Sequence, residues 1–435
     1  MAENTLESIV SWAKRRGFIM PGSEIYGGLG GIYDLGPYGV ALKNNIKSLW
    51  WKTFVENRDD VVGMESAILM NHQVWQASGH ETGFIDELVE CKKCHRRFKA
   101  DDIGDAKCQR GGDHKLTPPK AFNTMFKVKD TYLRPETAQG MFTDFKQILE
   151  TSRQKLPFGI AQMGKCFRNE INTKDYLFRV REFEIAEIEY FVKPGEDDKF
   201  FEDWLKQWED FVLSLGIKKE NLKLYQHPKE GLSHYSKGTT DLQYNFPFGF
   251  KELAGVANRT DFDLKSHQEA SGKDLNYFDQ ETNEKYLPFV IEPTLGVERL
   301  MLAVICDAFQ QVDSRTETTE AVTEKEIVLH FNSNLAPVKV AVFPLVKKLS
   351  EDAKKIYDDL KSCWGNIEFD ESGSIGRRYR RQDEIGTPFC VTFDFDSLDD
   401  KKVTVRNRDT MKQERIEISE LKNYLFEKLN SWMKV

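Results

Sequence analysis

Alternation of side-chain character predicts a two-faced strand over residues 178–191. Successive side chains on a strand point to opposite faces. One face is polar and carries Arg179, Arg181, Phe183, Glu187 and Glu189. The opposite face is mainly apolar and carries Phe178, Val180, Ala186, Ile188 and Tyr190, with Glu182 and Glu184 among them. Arginines and glutamates beside an aromatic ring make a poor core, so we interpret the polar face as the floor of a site for a polar ligand.

The preceding segment predicts the partner strand of a hairpin. Residues 164–171 place Arg168 and Glu170 on one face, and the polar loop 172–177 would join the two strands in an antiparallel hairpin. A solvent-facing sheet with salt bridges between its strands explains the same charges. On this hairpin alone, both interpretations stay open.

A second element, residues 290–308, favours a ligand site. A strand runs directly into a helix whose apolar stripe contains Val297, Leu300, Met301, Val304, Ile305 and Ala308. Arg299 lies off this stripe in the first turn, where a cation opposes the helix dipole. An anionic or aromatic ligand would explain it, because guanidinium binds phosphate oxygens and stacks on flat rings. Together the two elements predict ATP-dependent activation of a carboxylate.

Several segments carry a resemblance to a known family. Phe167-Arg-Asn-Glu170 and its return strand are similar to the second motif of class II aminoacyl-tRNA synthetases, and Gly296-Val-Glu-Arg299 is similar to the third. A helix at about 38–57 and a strand at 60–69 stand where the first motif forms the dimer interface. Longer stretches resemble the glycine enzyme in particular, at residues 21–28, 74–80, 133–140, 234–236 and 257–264. Over nearly its whole length the chain resembles the bacterial-type, homodimeric glycyl-tRNA synthetases.

The resemblance implies an α+β fold with two main parts. The first is a class II catalytic domain built on a mainly antiparallel sheet flanked by helices, at residues 1–80 and 121–325, with an inserted cysteine-containing module at 81–120. The second is an α/β anticodon-binding domain at 326–435, where predicted strands and helices alternate. The implied reaction is ATP- and Mg²⁺-dependent formation of glycyl-adenylate, followed by transfer of glycine to the 3′ end of glycine tRNA.

The resemblance also implies the site residues. Arg168 and Arg299 are the catalytic pair, and the ATP site adds Asn169, Glu170, Phe178, Arg179, Val180, Arg181, Glu182, Phe183, Glu252, Leu253, Gly296, Val297 and Glu298. Arg168 would hold the α-phosphate, Glu170 would place the adenine end, and Phe183 and Arg299 would sandwich the ring. Arg179 or Arg181 would reach the distal phosphates, and Glu252 would bind magnesium.

The implied glycine pocket consists of Glu136, Phe183, Glu187, Glu292 and Thr294, with threonine where the family usually has serine. Arg259 is a further candidate for the substrate carboxylate. Lys99 stands where the family commonly has an arginine credited with contacting substrate. Lysine keeps the charge but lacks the planar fork, so Lys99 is left out of the predicted site.

The insert contains a candidate metal site. Cys91-Lys-Lys-Cys94 has the spacing of a zinc knuckle, and Cys108 lies downstream. The position three residues after Cys108 is a glycine, so the fourth ligand would be His114, or His95 with poorer geometry. Bound zinc and a packed ribbon with free thiols both stay open.

Composition is compatible with a cytoplasmic protein that binds no membrane. No apolar run approaches a membrane span, and no apolar segment precedes a cleavage site at the N-terminus. Seven cysteines in 435 residues indicate a reducing compartment rather than a disulfide scaffold. The net charge of −8 requires that contact with tRNA come from local basic patches.

The densest basic cluster is residues 377–381, in which we expect Arg378 and Arg381 to contact tRNA. The alternative is a solvated helix in which Arg380 pairs with Glu384. A homodimer is likewise not established by periodicity, since the apolar residues of the helix at 38–57 could pack within one chain.

Two other functions remain possible from the sequence. A different class II synthetase would share Arg168, Phe183 and Arg299. A non-catalytic nucleic-acid-binding relative would be free to lose the ATP residues, which this chain keeps. A dinucleotide oxidoreductase is excluded, because no strand leads into Gly27–Gly31 and the Gly-x-Gly-x-x-Gly spacing is absent.

Overall fold

The computed structural model describes residues 5–104, 107–232, 236–313 and 325–430. Two residues of the predicted stretch 234–236, His234 and Tyr235, lie outside the described residues, as does most of the polar connector near residue 320.

A seven-stranded sheet forms the centre of the larger part. From edge to edge its strands are Leu222–Gln226, Gly238–Phe246, Gly249–Thr260, Phe289–Gly296, Glu182–Val192, Phe158–Phe167 and Val61–Gly63. All neighbours are antiparallel except the last pair. This mainly antiparallel sheet confirms the predicted fold class.

Helices cover both faces of the sheet. One face packs against Leu6–Arg15, Pro37–Trp51, Asp197–Ser214 and Val297–Ala308, and the other against Ala138–Thr143, Phe145–Ser152 and Phe262–Ser271. Tyr190 is buried on the first side and Phe191 on the second, as the alternation predicts. The apolar residues Ile46, Trp50 and Phe54 pack in the core of their own chain.

Shorter elements surround this core. Short helices lie at His72–Ala77 and His80–Gly83, and a π-helix lies at Lys52–Glu56. Four two-stranded ribbons pair Ile19–Pro21 with Tyr33–Leu35, Lys127–Val128 with Thr131–Tyr132, Tyr277–Asp279 with Glu284–Tyr286, and Phe309–Val312 with Glu326–Leu329. The insert forms a three-stranded sheet in the order Arg97–Lys99, Ile85–Glu90 and Lys120–Asn123.

The C-terminal part contains a five-stranded sheet. Its order is Ile367–Phe369, Val340–Pro344, Phe389–Phe393, Lys402–Asn407 and Gln413–Glu417, with helices Ser350–Lys361, Ile375–Ile385, Asp396–Asp400 and Leu421–Asn430. The strand Gln413–Glu417 and the short helix Asp396–Asp400 were not predicted. Both are largely exposed and therefore lack the apolar periodicity that marks the other elements.

Two predicted strands are shorter in the structure. The strand expected over 178–191 begins at Glu182, and Tyr176–Phe178 forms a 3-10 turn. The backbone N–H groups of Arg179 and Arg181 donate to the carbonyls of Lys174 and Gly31 instead of to the partner strand. The strand expected over 60–69 is limited to Val61–Gly63. Among the described residues, no helix is long and apolar enough to cross a membrane.

Candidate active site

A cavity of about 430 Å³ opens where the central hairpin meets the helix Val297–Ala308. This volume lies within the range of roughly 300–1,000 Å³ that small-molecule sites occupy. The antiparallel pairing of Phe158–Phe167 with Glu182–Val192 brings Arg168 and Phe183 to one end of the sheet. The strand Phe289–Gly296 runs beside them and delivers Arg299 from the first turn of the following helix.

Arg168 is fixed at the cavity wall by its surroundings. Its Nε donates to the Pro135 carbonyl at 3.1 Å, and its guanidinium carbon lies 5.4 Å from the ring centres of both Phe84 and Phe183. No carboxylate among the described residues forms a salt bridge with it. Its charge is therefore directed at the cavity rather than neutralised by a side chain.

Arg299 occupies the opposite part of the cavity. Its guanidinium carbon lies 4.4 Å from the ring centre of Phe178, and its Nη1 is 3.1 Å from Oε2 of Glu252. The charge of Arg299 lowers the pKa of Glu252. Glu252 is consequently ionised, and its half-exposed carboxylate offers oxygen to a cation or to Arg299.

The insert closes one side of the cavity. Lys99 from the strand Arg97–Lys99 lines it, with Nζ 2.9 Å from Oδ1 of Asp86. Arg179 also lines it, and its Nη1 is 3.2 Å from Oδ2 of Asp102. Lys99 was left out of the predicted site because lysine lacks the planar fork of arginine. Its side chain nevertheless lines the cavity, because the insert packs against the catalytic sheet.

The predicted ATP residues separate into two groups. Those that line the cavity are Arg168, Glu170, Phe178, Arg179, Val180, Phe183, Glu252, Gly296, Glu298 and Arg299. Those that do not line it are Asn169, Arg181, Glu182, Leu253 and Val297. Arg181 instead donates to the carbonyls of Glu170 and Gly30, and Leu253 and Val297 belong to the core. Glu298 lines the cavity, but its carboxylate already accepts hydrogen bonds from Lys43 at 2.6 Å and from the Glu184 backbone N–H at 2.7 Å.

A buried carboxylate cluster lies beside the cavity, with Glu187 and Glu292 on two adjacent strands and Arg259 on the next strand. Glu187 pairs across the sheet with Thr294, which lines the cavity. Glu292 accepts from Arg259 Nη1 at 2.8 Å, and the other edge of Arg259 binds Asp263 at 2.7 and 2.9 Å. Because both edges of Arg259 are engaged, it orients Glu292 instead of facing the cavity with a free edge.

Glu136 joins this cluster from a loop. His80 Nε2 lies 3.2 Å from Oε2 of Glu136, and Ser78 Oγ lies 2.8 Å from Nδ1 of His80. Burial opposes ionisation of Glu136, but His80 and Arg259 outweigh it and lower its pKa. By contrast, burial and the charge of Glu136 raise the pKa of Glu187. Sequence reasoning did not assign His80 a role, although it lies in the stretch 74–80 that carries the resemblance.

Comparisons with known proteins match both main parts of the chain. Residues 125–308 match the class II tRNA synthetase core domain of the G, H, P, S and T enzymes, and residues 339–428 match the anticodon binding domain. The chain is 51% identical to the glycine–tRNA ligase of Caldanaerobacter subterraneus subsp. tengcongensis, over 98% of this chain and 98% of that protein. It is 50% identical to that of Clostridium acetobutylicum, over 98% and 99%, and 50% identical to that of Streptomyces coelicolor, over 99% of each.

The chain belongs to the glycine–tRNA ligase family. This confirms the resemblance to the glycyl-tRNA synthetases, another name for the same enzymes. The homodimeric type remains a prediction.

The insert of this glycine–tRNA ligase family member brings four potential metal ligands together. Single ligand atoms of Cys91, Cys94, Cys108 and His114 all lie within 4.8 Å of one another. The Cys91 and Cys108 sulfurs are 3.9 Å apart, and Cys94 Sγ is 3.8 Å from His114 Nδ1. These spacings suit a tetrahedral ion with bonds of roughly 2.0–2.3 Å. His95 pairs instead with Glu90 at 3.2 Å.

In the basic cluster on the helix Ile375–Ile385, the arginines expected to contact tRNA are bound within the protein itself. Arg378 is buried and donates to the carbonyls of Pro344 and Gly373. Arg381 pairs with Asp370, and Arg380 lies 3.5 Å from Glu384, the pair that the alternative predicted. The helix is not fully solvated, however, because Glu384 is buried. Arg378 therefore stabilises the fold, and the expectation that it contacts tRNA is wrong. Among residues 377–381, only Arg377 is largely exposed to solvent.

Proposed function

We propose that this protein activates glycine with ATP, forming glycyl-adenylate and pyrophosphate, and then transfers the glycyl group to the 3′ end of glycine tRNA. The observation that carries the proposal is the convergence of Arg168, Phe183 and Arg299 on one cavity, beside the carboxylates Glu187 and Glu292. Such a cavity can accommodate a nucleotide next to a small amino acid.

In the first step, the glycine carboxylate attacks the α-phosphorus of ATP, and pyrophosphate leaves. Negative charge builds on the phosphoryl oxygens, so positioned cations contribute more than a general base does. We assign Arg168 to the α-phosphate, because it lines the cavity and forms no salt bridge with a carboxylate among the described residues. Arg179 lines the same cavity and is assigned to the distal phosphates, whereas Arg181 does not line it. Phe183 and Arg299 are assigned to the two faces of adenine.

The second step transfers the activated acyl group. A terminal ribose hydroxyl of the tRNA attacks the glycyl carbonyl, and AMP leaves. Charge again builds on oxygen, at the carbonyl and the departing phosphate. Arg168 is therefore used in both steps.

Magnesium fits the residues present. Mg²⁺ prefers oxygen ligands and is commonly held by one or two carboxylates together with substrate phosphates. Glu252 is ionised, half exposed and at the cavity wall, which suits that role. When bound, the ion would neutralise charge on the phosphates of ATP.

Selection of glycine follows from exclusion. Glu187 and Glu292, which we assign to the ammonium group of the substrate, are only 2% and 6% exposed, so little open space surrounds them. A larger amino acid would need room that this packing does not leave. The harder task, rejection of an amino acid that is one methylene smaller than the substrate, does not arise, because no amino acid is smaller than glycine. Glu136 completes the acidic set, and Thr294 connects it to the cavity.

The test is glycine-dependent exchange of pyrophosphate into ATP, repeated with each amino acid in turn. We expect exchange with glycine alone, and alanine and serine are the most informative competitors. Exchange with another amino acid would indicate a different class II specificity. Exchange with none, in a protein that still binds tRNA, would favour a non-catalytic relative.

Zinc in the insert is part of the proposal. Hydrogen bonds from neighbouring residues lower the pKa of the Cys91 thiol to about 5, against the opposing effect of burial, so the thiolate form that zinc requires is available. Metal analysis of protein purified without chelators should give about one equivalent of zinc. Less than about a tenth of an equivalent would contradict the site.

We also propose a cytoplasmic homodimer. Ile25, Tyr26, Leu29, Val40 and Leu69 are exposed apolar side chains, with Ile25 and Tyr26 at 89% and 87%. Exposed apolar groups of this size mark interaction surfaces when they cluster. Sedimentation should give twice the mass of one chain, and Tyr26→Lys should reduce it. A wild-type monomer would contradict the dimer.

Contact with tRNA is assigned to the C-terminal part together with the first helix. Arg377, Arg380 and Arg381 line a cleft with Arg15 and Arg16, so contact of Arg381 with tRNA stays a prediction. Charge reversal at Arg377 and Arg15 should weaken tRNA binding and leave glycine-dependent exchange unchanged. Loss of exchange in this variant would contradict the separation of roles.

A further inference from the structure

Glu189 is a buried glutamate to which the reaction assigns no role. It lies on the strand Glu182–Val192, two residues beyond Glu187, and its exposure is 0%. Neither carboxylate oxygen has a hydrogen-bond partner among the residues that the structure describes. A fully buried carboxylate without donors is costly in its ionised form.

The neighbours of Glu189 are mostly acidic. One oxygen each of Glu187, Glu189 and Glu292 lies within 4.8 Å of the others. Asp263 and His267 face this region from the helix Phe262–Ser271, and Arg259 faces it from the strand Gly249–Thr260. On the remaining neighbouring strand, Ile160 lies opposite Glu189 and Gln162 opposite Glu187. Glu136 adds a further carboxylate from its loop.

Donors are distributed unequally over these carboxylates. Glu187 accepts from the backbone N–H and hydroxyl of Thr137, and Glu292 accepts from Arg259. Glu136 accepts from Gln139 and pairs with His80. Each of these three accepts a hydrogen bond or pairs with a cation, whereas Glu189 has no hydrogen-bond donor among the described residues.

The charges do not balance if every acid is ionised. Asp263 and the four glutamates at 136, 187, 189 and 292 would face the guanidinium of Arg259, the imidazole of His80 and the ammonium group of bound glycine. Burial lowers the pKa of His267, which favours its neutral form. This excess of acidic groups favours protonation of one of them, and the acid without donors loses least by holding the proton.

We propose that Glu189 is a neutral carboxylic acid in the folded protein, and that its O–H group donates to one of its two neighbouring carboxylates, Glu187 or Glu292, and so helps to position the pair for the ammonium group of glycine. Glu189 is then a positioning residue, not a catalytic one. The positioning role rests on the proposed glycine-activating function, whereas the protonation state can be tested without it. In support, burial and then the charge of Glu292 raise the pKa of Glu189 well above its usual range.

Infrared spectroscopy tests the proton directly. A protonated carboxylic acid has a carbonyl stretch that an ionised carboxylate lacks. We expect the difference spectrum of wild type minus Glu189→Gln, recorded on full-length proteins at neutral pH, to contain this band. A difference spectrum without it would overturn the proposal, because the proton would then lie elsewhere or be absent.

Kinetics of glycine-dependent pyrophosphate exchange test the positioning. Glu189→Gln keeps the shape and a hydrogen-bond donor, so the KM for glycine should stay within about threefold of wild type. Glu189→Leu removes the donor, and the KM for glycine should rise about tenfold or more with a smaller change in kcat, as expected for a lost hydrogen bond to a charged group. Equal losses in both variants would overturn the proposal, since a charged Glu189 would then be required.

The two experiments also separate this proposal from the proposed function. A wild-type protein that gives no exchange with glycine would refute the function, while the infrared band would still report the state of Glu189. If Glu189→Leu does not fold, Glu189→Gln and the infrared spectrum decide the question.

Discussion

Replacement of Arg168 by alanine tests the placement of the α-phosphate. The side chain is held by one hydrogen bond to Pro135 and by the rings of Phe84 and Phe183, and no described carboxylate depends on it for a salt bridge. Its removal therefore leaves no carboxylate without a salt-bridge partner, and the loss of two ring contacts should destabilise the fold by only about 1–2 kcal/mol. The effect on the reaction should be larger.

Loss of one positioned donor to a developing oxyanion reduces kcat by about 10²–10³, or roughly 3–4 kcal/mol. We expect a reduction of this size in glycine-dependent pyrophosphate exchange by Arg168→Ala, measured as kcat and KM for ATP and glycine. Arg168→Lys should recover part of the loss, because it restores the charge without the planar fork. An exchange rate within about threefold of wild type would refute the assignment of Arg168 to the transferring phosphate.

Lys165→Ala is the matched control for this experiment. Lys165 lies three residues before Arg168, on the strand that ends at Phe167, and it pairs with Glu182 at 2.7 Å while both side chains are 42% exposed. An exposed pair contributes roughly 0–1 kcal/mol, so this variant should keep its exchange rate and most of its stability. An equal loss in the control would point to damage to the hairpin rather than to a missing phosphate contact.

Three further outcomes follow from the structure. Arg259→Met leaves Asp263 and Glu292 buried without their partner and should lower the free energy of unfolding in denaturant by about 3–5 kcal/mol; an unchanged value would show that the pair is not essential for folding. Lys99→Met should raise the KM for ATP about tenfold, as loss of a charged contact does, and an unchanged KM would place Lys99 outside the site. Burial lowers the pKa of Lys339 from 10.5 to about 8. Between these two pH values the unfolded chain binds more protons than the folded chain. The stability of the wild type relative to Lys339→Met should therefore rise with pH across this window, by up to about 1.4 kcal/mol per pH unit. A flat or falling difference would contradict the burial of an amine at this position.

Local patterns were sufficient for the features that depend on neighbouring residues. The alternation along the strand predicted that Phe183, Glu187 and Glu189 share a face, and the helical stripe placed Arg299 in a first turn. Both hold in the structure. The alternation of strands and helices in the C-terminal part was predicted in the same way, except for the two largely exposed elements Asp396–Asp400 and Gln413–Glu417.

Other features depend on contacts between distant parts of the chain. The backbone at Asp175 and Tyr176 turns through positive φ angles, which alternation does not reveal. Lys99 reaches the cavity because the insert packs against the catalytic sheet. Arg378 is buried although its neighbours in the sequence are basic. Its guanidinium donates to the carbonyls of Pro344 and Gly373. A run of like charges therefore did not identify which arginine faces solvent.

A crystal structure with a non-hydrolysable glycyl-adenylate analogue tests the central claim most directly. The account predicts adenine between Phe183 and Arg299, the phosphate mimic within hydrogen-bond distance of Arg168, and the glycyl ammonium group among Glu136, Glu187 and Glu292. An analogue bound in a different cavity, or with its ammonium group directed away from these glutamates, would contradict it.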